Sequence, residues 1–355
     1  MKYIDDNGIW WHLNDGNDDL YKLLINPDTS KPYKRGELIK QEPYKGKVFL
    51  QYRYDRLLKG NRDYWGIKVA RGVKNISLDK ISKGFDIPAP ALVSFSGGRT
   101  SAYMLKKILE AYDHDLPNSI QVCFANTGKE MPETLDFVHE CETRWNVKVN
   151  WLELEISEER PIWRTKVVNY KTASRDGKPF DELLNKRKAL PNPVMRLCTQ
   201  ELKVNVMKRY MKSLGVDEWY NVLGLRADES SRVVRATGKN CMDSWISICP
   251  LANQGITNDD VVKFWRNNDF DLQLPLINDK TAAGNCDLCY LKGMKTVVNL
   301  IAEKPELADW WIEKEDKFGR YFRKDRPEYR RLVEISKEDK HNLVDDDSYS
   351  CFCHD

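Results

Sequence analysis

The chain has 355 residues, with 57 Lys+Arg against 54 Asp+Glu and a formal net charge of +3, so bulk electrostatics alone do not announce a polyanionic partner. That length suits one large core with an appendage, or two smaller domains. No apolar run approaches 18 residues, and Asp5 and Asp6 interrupt the start, which excludes a membrane span and a signal peptide and makes a cytoplasmic, soluble protein the expectation.

Residues 1–87 read as a basic, aromatic module. Residues 1–90 hold 17 Lys+Arg and 12 Asp+Glu, with Trp10, Trp11, Tyr33, Tyr44, Phe49, Tyr52, Tyr54, Tyr64 and Trp65 among them. The segments from Val48 to Tyr54 and from Tyr64 to Ala70 have strand composition, which predicts a small sheet. Ile87-Pro-Ala-Pro is the expected linker, because two prolines in four residues hold an extended chain. Ala91-Leu-Val-Ser-Phe then predicts a buried strand, and an amphipathic helix follows from Ala102 to about Tyr112. Strands at 120–124, 147–154 and 220–225 alternate with helices at 132–145 and 199–214, a pattern that implies a parallel sheet with right-handed crossovers. Pro132 suits a first helical position and Gly215 the turn that closes a helix. Residues 88–268 are thus read as one α/β domain. Residues 269–355 read as a Cys-containing loop, a helical stretch with Trp310 and Trp311, and a tail.

Between the first strand and its helix lies Ser96-Gly-Gly-Arg-Thr-Ser101. Glycines permit close backbone approach and positive φ, and the helix start directs unpaired N–H groups and a positive dipole end into the turn. Ser96, Thr100 and Ser101 add hydroxyls and Arg99 a charge, so the turn suits an anion. Neither G-x-x-x-x-G-K-[ST] nor G-x-G-x-x-G occurs, which disfavours the nucleoside-triphosphatase P-loop and the dinucleotide fingerprint. The loops after the strands, 96–101, 126–128 and 226–232, are expected to converge at the carboxyl edge of the sheet. Arg226 and Arg232 are chemically suited to bidentate phosphate contact; the alternative is a surface ion pair with Asp228 or Glu229.

Five segments in order resemble the adenine-nucleotide α-hydrolase superfamily, and within it the phosphoadenosine-phosphosulfate (PAPS) reductase-like family. Ser96 to Ser101 is similar to the S-G-G-x-D-S pyrophosphate loop. Phe124 to Thr134 is similar to the second-strand segment with its D-T-G-like turn and P-E-T helix start. Arg196 to Lys203 resembles R-x-C-C-x-x-x-K, Leu223 to Arg232 resembles G-x-R-x-x-E-S-x-R, and Pro250-Leu251 with Thr257, Asp259, Asp260 and Val261 resembles the run that follows. The resemblance implies a Rossmann-like parallel sheet with a PP-loop. It implies an adenine nucleotide, ATP or PAPS with Mg²⁺, held by Ser96, Gly97, Gly98, Arg99, Thr100 and Ser101, with Asn126, Thr127 and Gly128 approaching the adenosine. Thr100 stands where the pattern has Asp, so Mg²⁺ would rest on phosphates and water, or on Asp228 or Glu229. Arg226, Arg232 and Cys198 are the candidate catalytic residues.

Nine cysteines in a cytoplasmic setting point away from structural disulfides. Cys123 and Cys141 read as packing. Cys286-Asp-Leu-Cys289 has the two-residue gap that lets both sulfurs reach one metal. Its partners would come from Cys198, Cys249, Cys351, Cys353 or His354. The family resemblance points to an iron–sulfur cluster, with zinc as the alternative. A second reading makes the tail, Ser350-Cys-Phe-Cys-His354, a nucleophile like that of PAPS reductases, with a thioredoxin-like reductant. The resemblance favours an ATP-using enzyme that cleaves at the α-phosphate to adenylate an acceptor, nucleic acid among the candidates, with a sulfur donor. Reduction of PAPS or adenylyl sulfate is the alternative. A non-catalytic nucleotide- or nucleic-acid-binding protein is the third.

Overall fold

Four consecutive buried residues, Ala91-Leu-Val-Ser, build the strand around which the sheet is ordered. In the computed structural model the described residues are 84–237, 245–277, 280–281, 284 and 286–338. Strand backbone is described as well at 2–4, 10–12, 25–26, 31–32, 38–44, 47–58 and 62–69. The chain divides into two compact units, one of Met1–Leu92 with Asp217–Thr257 and the other of Val93–Val216 with Asn258–Asp355. These divisions do not coincide with the boundaries expected at 87/88 and 268/269.

In the first unit, β1 (Leu38–Tyr44), β2 (Lys47–Leu58) and β3 (Arg62–Val69) form an antiparallel meander, the small sheet read from the β-rich N-terminal segments. β4 (Ala91–Ser94) begins in this unit. The Tyr220 N–H donates to the Pro90 carbonyl at 2.9 Å, where β8 (Trp219–Val222) runs beside it. β9 (Trp245–Ile248) lies parallel to β8, with Trp219 stacked on Trp245 at 5.3 Å. Leu223, Leu225 and Cys249 form an apolar cluster, covered by Val233, Ala236 and Ala252.

In the second unit β4 continues through Val93 and Ser94, then β5 (Ile120–Ala125), β6 (Val149–Ile156) and β7 (Trp163–Val168) extend the sheet outward. The strand order is β7-β6-β5-β4-β8-β9, parallel between β5 and β6 and between β8 and β9, and antiparallel at the β6–β7 edge. Chain order reverses at β4. The fold is α/β, as the alternating pattern implies. β7 and the helix α3 (Lys178–Arg187) went unread in the sequence. β7 alternates too little apolar character to announce itself, since Arg164 and Lys166 interrupt it and Val167 is exposed.

Helix α1 (Arg99–Ala111) buries Ala102, Met104, Leu105, Ile108 and Leu109. α2 (Pro132–Arg144) starts on the predicted proline, with Glu133 in its first turn and Arg144 in its last, the signs that suit the helix dipole. The expected helix at 199–214 is two pieces: a π-helical turn at Thr199–Val204 and then α4 (Asn205–Ser213), closed by Gly215 at φ +75°. α5 (Ser230–Thr237) follows in the first unit and α6 (Asn258–Arg266) in the second. The C-terminal helices α7 (Met294–Glu303), α8 (Leu307–Phe318) and α9 (Tyr329–Lys337) surround Trp311, whose ring meets Phe322 at 4.9 Å and Tyr329 at 5.2 Å. Phe180 of α3 joins this aromatic cluster through Trp310 at 5.1 Å. Among the described residues no helix is long and apolar enough to cross a membrane.

Gly177, at φ +85°, lets α3 begin directly against Trp310. A Cβ there would stand 2.6 Å from the indole Nε1. Gly177→Ala combines a left-handed backbone with overpacking, so a loss of about 2–4 kcal/mol is expected, read from urea unfolding midpoints.

Candidate nucleotide and cysteine site

The Ser96–Ser101 loop is built as an anion cradle. Gly97 sits at φ +79°, and a Cβ would lie 2.8 Å from Thr134 Cγ2 and 2.9 Å from Val138 Cγ2, so the loop presses on α2 with no room for a side chain. Gly98 caps α1 with extended backbone and no side-chain hydrogen bond, and the first turn carries no acidic residue. The helix start is thus left positive and open to an anion. Ser101, fully buried, holds the loop from within: its hydroxyl accepts from the Ser96 N–H at 3.2 Å and bonds the Ser96 hydroxyl at 2.9 Å and the Gly98 carbonyl at 3.0 Å.

Arg99 departs from the sequence reading. Its guanidinium turns away from the cradle and is consumed by Asp271 (Nε to Oδ1 and Nη2 to Oδ2, both 2.7 Å), Thr281 Oγ1 and the carbonyls of Leu272 and Leu274. It is a 7 %-exposed structural clamp, not a phosphate ligand. Acceptors on Asp271, Leu272, Leu274 and Thr281 together satisfy the buried guanidinium, and nothing in the local sequence signals them.

The second loop departs in a similar way. Asn126 is completely buried: its amide donates to Glu153 Oε1 at 2.6 Å and the Ser174 carbonyl at 2.8 Å, and its Oδ1 accepts from the Gly128 N–H at 3.1 Å. It shapes the turn, with its amide and its carbonyl oxygen both spent within the protein. Thr127 faces inward, its N–H donating to Glu130 Oε2 at 2.9 Å. Gly128, at φ +79°, touches Gly177 backbone to backbone.

The Cys286–Cys289 loop is stitched onto this second loop. Glu130 and Cys286 form a β-bridge, the Asp287 N–H donates to the Lys129 carbonyl at 2.7 Å, and Lys129 Nζ meets Asp287 Oδ2 at 2.8 Å. Both side chains are buried, at 9 % and 4 % exposure. Asp287 Oδ1 also accepts from Trp311 Nε1 at 2.8 Å and from the Leu288 N–H. The Tyr329 hydroxyl donates to the Leu288 carbonyl at 2.6 Å, and Lys292 Nζ bonds the Cys286 carbonyl at 2.8 Å.

Three of the predicted cysteines come together. Cys198, Cys286 and Cys289 line one pocket with Thr127, Phe180, Thr199, Lys203, Tyr290, Leu291 and Trp311. Cys286 Sγ lies 3.4 Å from Thr127 Oγ1, and Cys198 Sγ 3.3 Å from the Tyr290 hydroxyl. Burial, then the Glu130 carboxylate, push the Cys286 thiol well up, while Lys203 and the Thr127 hydroxyl pull it down. Cys198 begins the π-helical turn, a distortion frequent at functional sites, and that turn carries Thr199 and Lys203 into the pocket. Lys203, Lys129, Glu130 and Asp287 all lie inside motifs named above, but no role was read for them, and Tyr290 directly follows Cys289.

Other predicted ligands do not join them. Cys249 packs in the apolar cluster with Leu223 and Leu225, where burial pushes its thiol up to about 12; it is a correction to the ligand reading, and behaves as a small apolar residue. Cys123 and Cys141 are buried in the core, as expected. Cys351, Cys353 and His354 lie outside the described residues. Among the described residues no set of three or more His, Cys, Asp or Glu side chains is gathered closely enough to hold a single metal ion.

In the first unit Arg226 and Arg232 show the ion-pair alternative. Arg226 clasps Asp228 with Nε to Oδ1 at 3.0 Å and Nη2 to Oδ2 at 3.2 Å, and Glu229 bonds Arg232 Nη1. Glu229 also accepts from the Arg226 N–H at 3.1 Å, closing the turn that starts α5.

A family model described as the phosphoadenosine phosphosulfate reductase domain matches residues 90–279. The chain belongs to this family. The PAPS reductase-family chain is also 29 % identical over 214 residues to an uncharacterized nin-region protein of Escherichia phage lambda, covering 58 % of this chain and 67 % of that protein. It is 27 % identical over 229 residues to an uncharacterized protein of Methanocaldococcus jannaschii, covering 61 % of this chain and only 40 % of the other. Among solved structures it is similar to a PAPS reductase from Candida auris in a phosphate complex (TM-score 0.34, 17 % identity, 57 % of this chain and 91 % of that one). A tRNA thiolase from Methanococcus maripaludis with its iron–sulfur cluster is similar at a TM-score of 0.35 and 13 % identity, covering 78 % and 82 %.

Breaking a buried ion pair from one side leaves an uncompensated charge, at a cost of about 3–5 kcal/mol. Asp287→Asn and Lys129→Met are each expected in that range. The double variant should cost clearly less than the sum, measured as a double-mutant cycle by chemical denaturation.

Proposed function

We propose that this PAPS reductase-family protein binds ATP in the Ser96–Ser101 cradle and cleaves it at the α-phosphate, adenylating an acceptor in sulfur-transfer chemistry. The observation behind this reading is the pairing, within one unit, of an intact Ser-Gly-Gly cradle after β4 with a three-cysteine pocket tied to the loop after the neighbouring β5. An acceptor nucleophile attacks the α-phosphorus, the bond from that phosphorus to the α–β bridging oxygen breaks, and pyrophosphate leaves. The chain's contribution is positioning and charge neutralisation: the α1 N–H groups and dipole face the leaving phosphates. The open α1 terminus has no carboxylate in its first turn, so Mg²⁺ would be carried on the phosphates and water.

The pocket's donor chemistry fits an iron–sulfur cluster. Three thiols line it with no imidazole or carboxylate, a soft set. Sulfurs around one tetrahedral zinc ion would sit ~3.8 Å apart, whereas a cluster takes one thiolate per iron and asks for less convergence. Cys198, Cys286 and Cys289 would hold it, and when bound it would supply a site for activating sulfur. Thr127 and Tyr290 orient two of the sulfurs, and Phe180, Leu291 and Trp311 keep water out.

Incubation with ATP and candidate acceptors should yield AMP and pyrophosphate; ADP and phosphate as the products would overturn the cleavage assignment. Anaerobically purified protein should contain iron and labile sulfide. Cys198→Ser, Cys286→Ser and Cys289→Ser should each lose most of the iron, while Cys249→Ser should keep it. Colourless protein with one zinc would make these cysteines structural.

A further inference from the structure

Charge is segregated along this chain. Residues 160–212 hold 14 Lys+Arg against 4 Asp+Glu, although the whole protein has a net charge of only +3. The elements of this segment meet at the β7 edge of the sheet. Arg187, at the end of α3, lies 4.8 Å over the Trp163 ring of β7. Two residues along the same face of that strand, Thr165 Oγ1 donates to the Val206 carbonyl of α4 and accepts from Arg209 Nε. Arg187 pairs with the buried Glu201 of the π-helical turn, whose other oxygen accepts from the Asn205 amide. Arg209 Nη2 is buried without a hydrogen-bond partner among the described residues. Lys186 and Lys188 flank Arg187 in the chain and Lys212 follows Arg209 by three residues of α4; all three are exposed and none is in an ion pair with a described carboxylate. Val194 and Met195, 95 % and 42 % exposed, sit on the loop that leads to Cys198.

We propose that this surface, formed by the ends of α3 and α4 over β7, binds the phosphate backbone of a single-stranded nucleic acid, and that the polynucleotide is the acceptor. The acceptor assignment rests on the adenylation reading above; the binding surface does not. Cations in excess of local carboxylates attract a polyanion and release its counterions. The exposed apolar tips of Val194 and Met195 offer contact to an unstacked base. The same π-helical turn whose Glu201 pairs with Arg187 delivers Thr199 and Lys203 to the cysteine pocket, so a strand lying on this face runs toward the chemistry. An anionic membrane is the weaker fit, because these apolar side chains lie on a loop and not along the face of an amphipathic helix.

The test is fluorescence anisotropy of a labelled single-stranded oligonucleotide with the full chain across a salt series. The expected result is binding at low salt that weakens steeply as salt rises. A Lys186→Gln, Lys188→Gln, Lys212→Gln triple variant should lose roughly 0.7 of log–log salt slope per lysine, about 2 in all. Circular dichroism and ATP binding should be unchanged, since all three side chains are exposed and outside the cradle. No binding at low salt, an unchanged slope in the triple variant, or preferential binding to phosphatidylserine vesicles would overturn the proposal. Oligonucleotide binding without AMP and pyrophosphate formation would count against the adenylation reading and with it the acceptor role, leaving the surface itself standing.

Discussion

The buried pairing of Lys129 with Asp287 is the constraint on which the site depends. It joins a residue of the loop after β5 to a residue between two cysteines more than 150 positions later, and around it are gathered a β-bridge, two indole-lined walls and the Tyr329 hydroxyl. Charges this deeply enclosed are stable only as a pair with their remaining hydrogen bonds made. Asp287 meets that condition by accepting from Trp311 and from the next backbone amide. The cysteine loop therefore inherits its position from the sheet, and the aromatic C-terminal helices act as its backing. Lys129 also lies 5.1 Å over Trp310, so the same cation fastens the helices it sits beneath.

Two kinds of rigidity meet in this arrangement. The cradle is rigid because Gly97 is wedged against α2 and Ser101 closes the loop internally. The cysteine pocket is rigid because its walls are rings: Phe180, Tyr290 and Trp311 are all nearly or wholly buried. Thr127, in the loop after β5, lines that pocket and touches Cys286.

Much of this was legible in the chain. The Ser-Gly-Gly turn, the strand before it and the helix after it follow from local pattern, because the backbone requirement of such a turn is met by few residue types. The Cys286–Cys289 spacing and the membership of Cys198 were also legible. What escaped was partner choice. Arg99 next to two glycines suggests a phosphate ligand, yet its acceptors lie some 170 residues away at Asp271, Leu272 and Leu274. Asn126 suggests a ligand contact, yet Glu153 and Ser174 take its amide. Cys249 beside a proline suggests a loop thiol, yet it faces Leu223 and Leu225. Each error has one cause: hydrogen-bond partners and packing neighbours distant in sequence are set by tertiary structure, which periodicity does not encode.

Gly128 and Gly177 meet main chain to main chain, with 3.1 Å between an added Cβ on one and the backbone of the other, both at left-handed φ. A side chain at Gly128 would meet that backbone and Pro179, and one at Gly177 would meet the Trp310 indole, so neither position has an intermediate size to explore. Stepwise drift is closed at this seam, so diversification of what the protein acts on must run through the rims around it, while the seam itself stays a fixed point of the architecture.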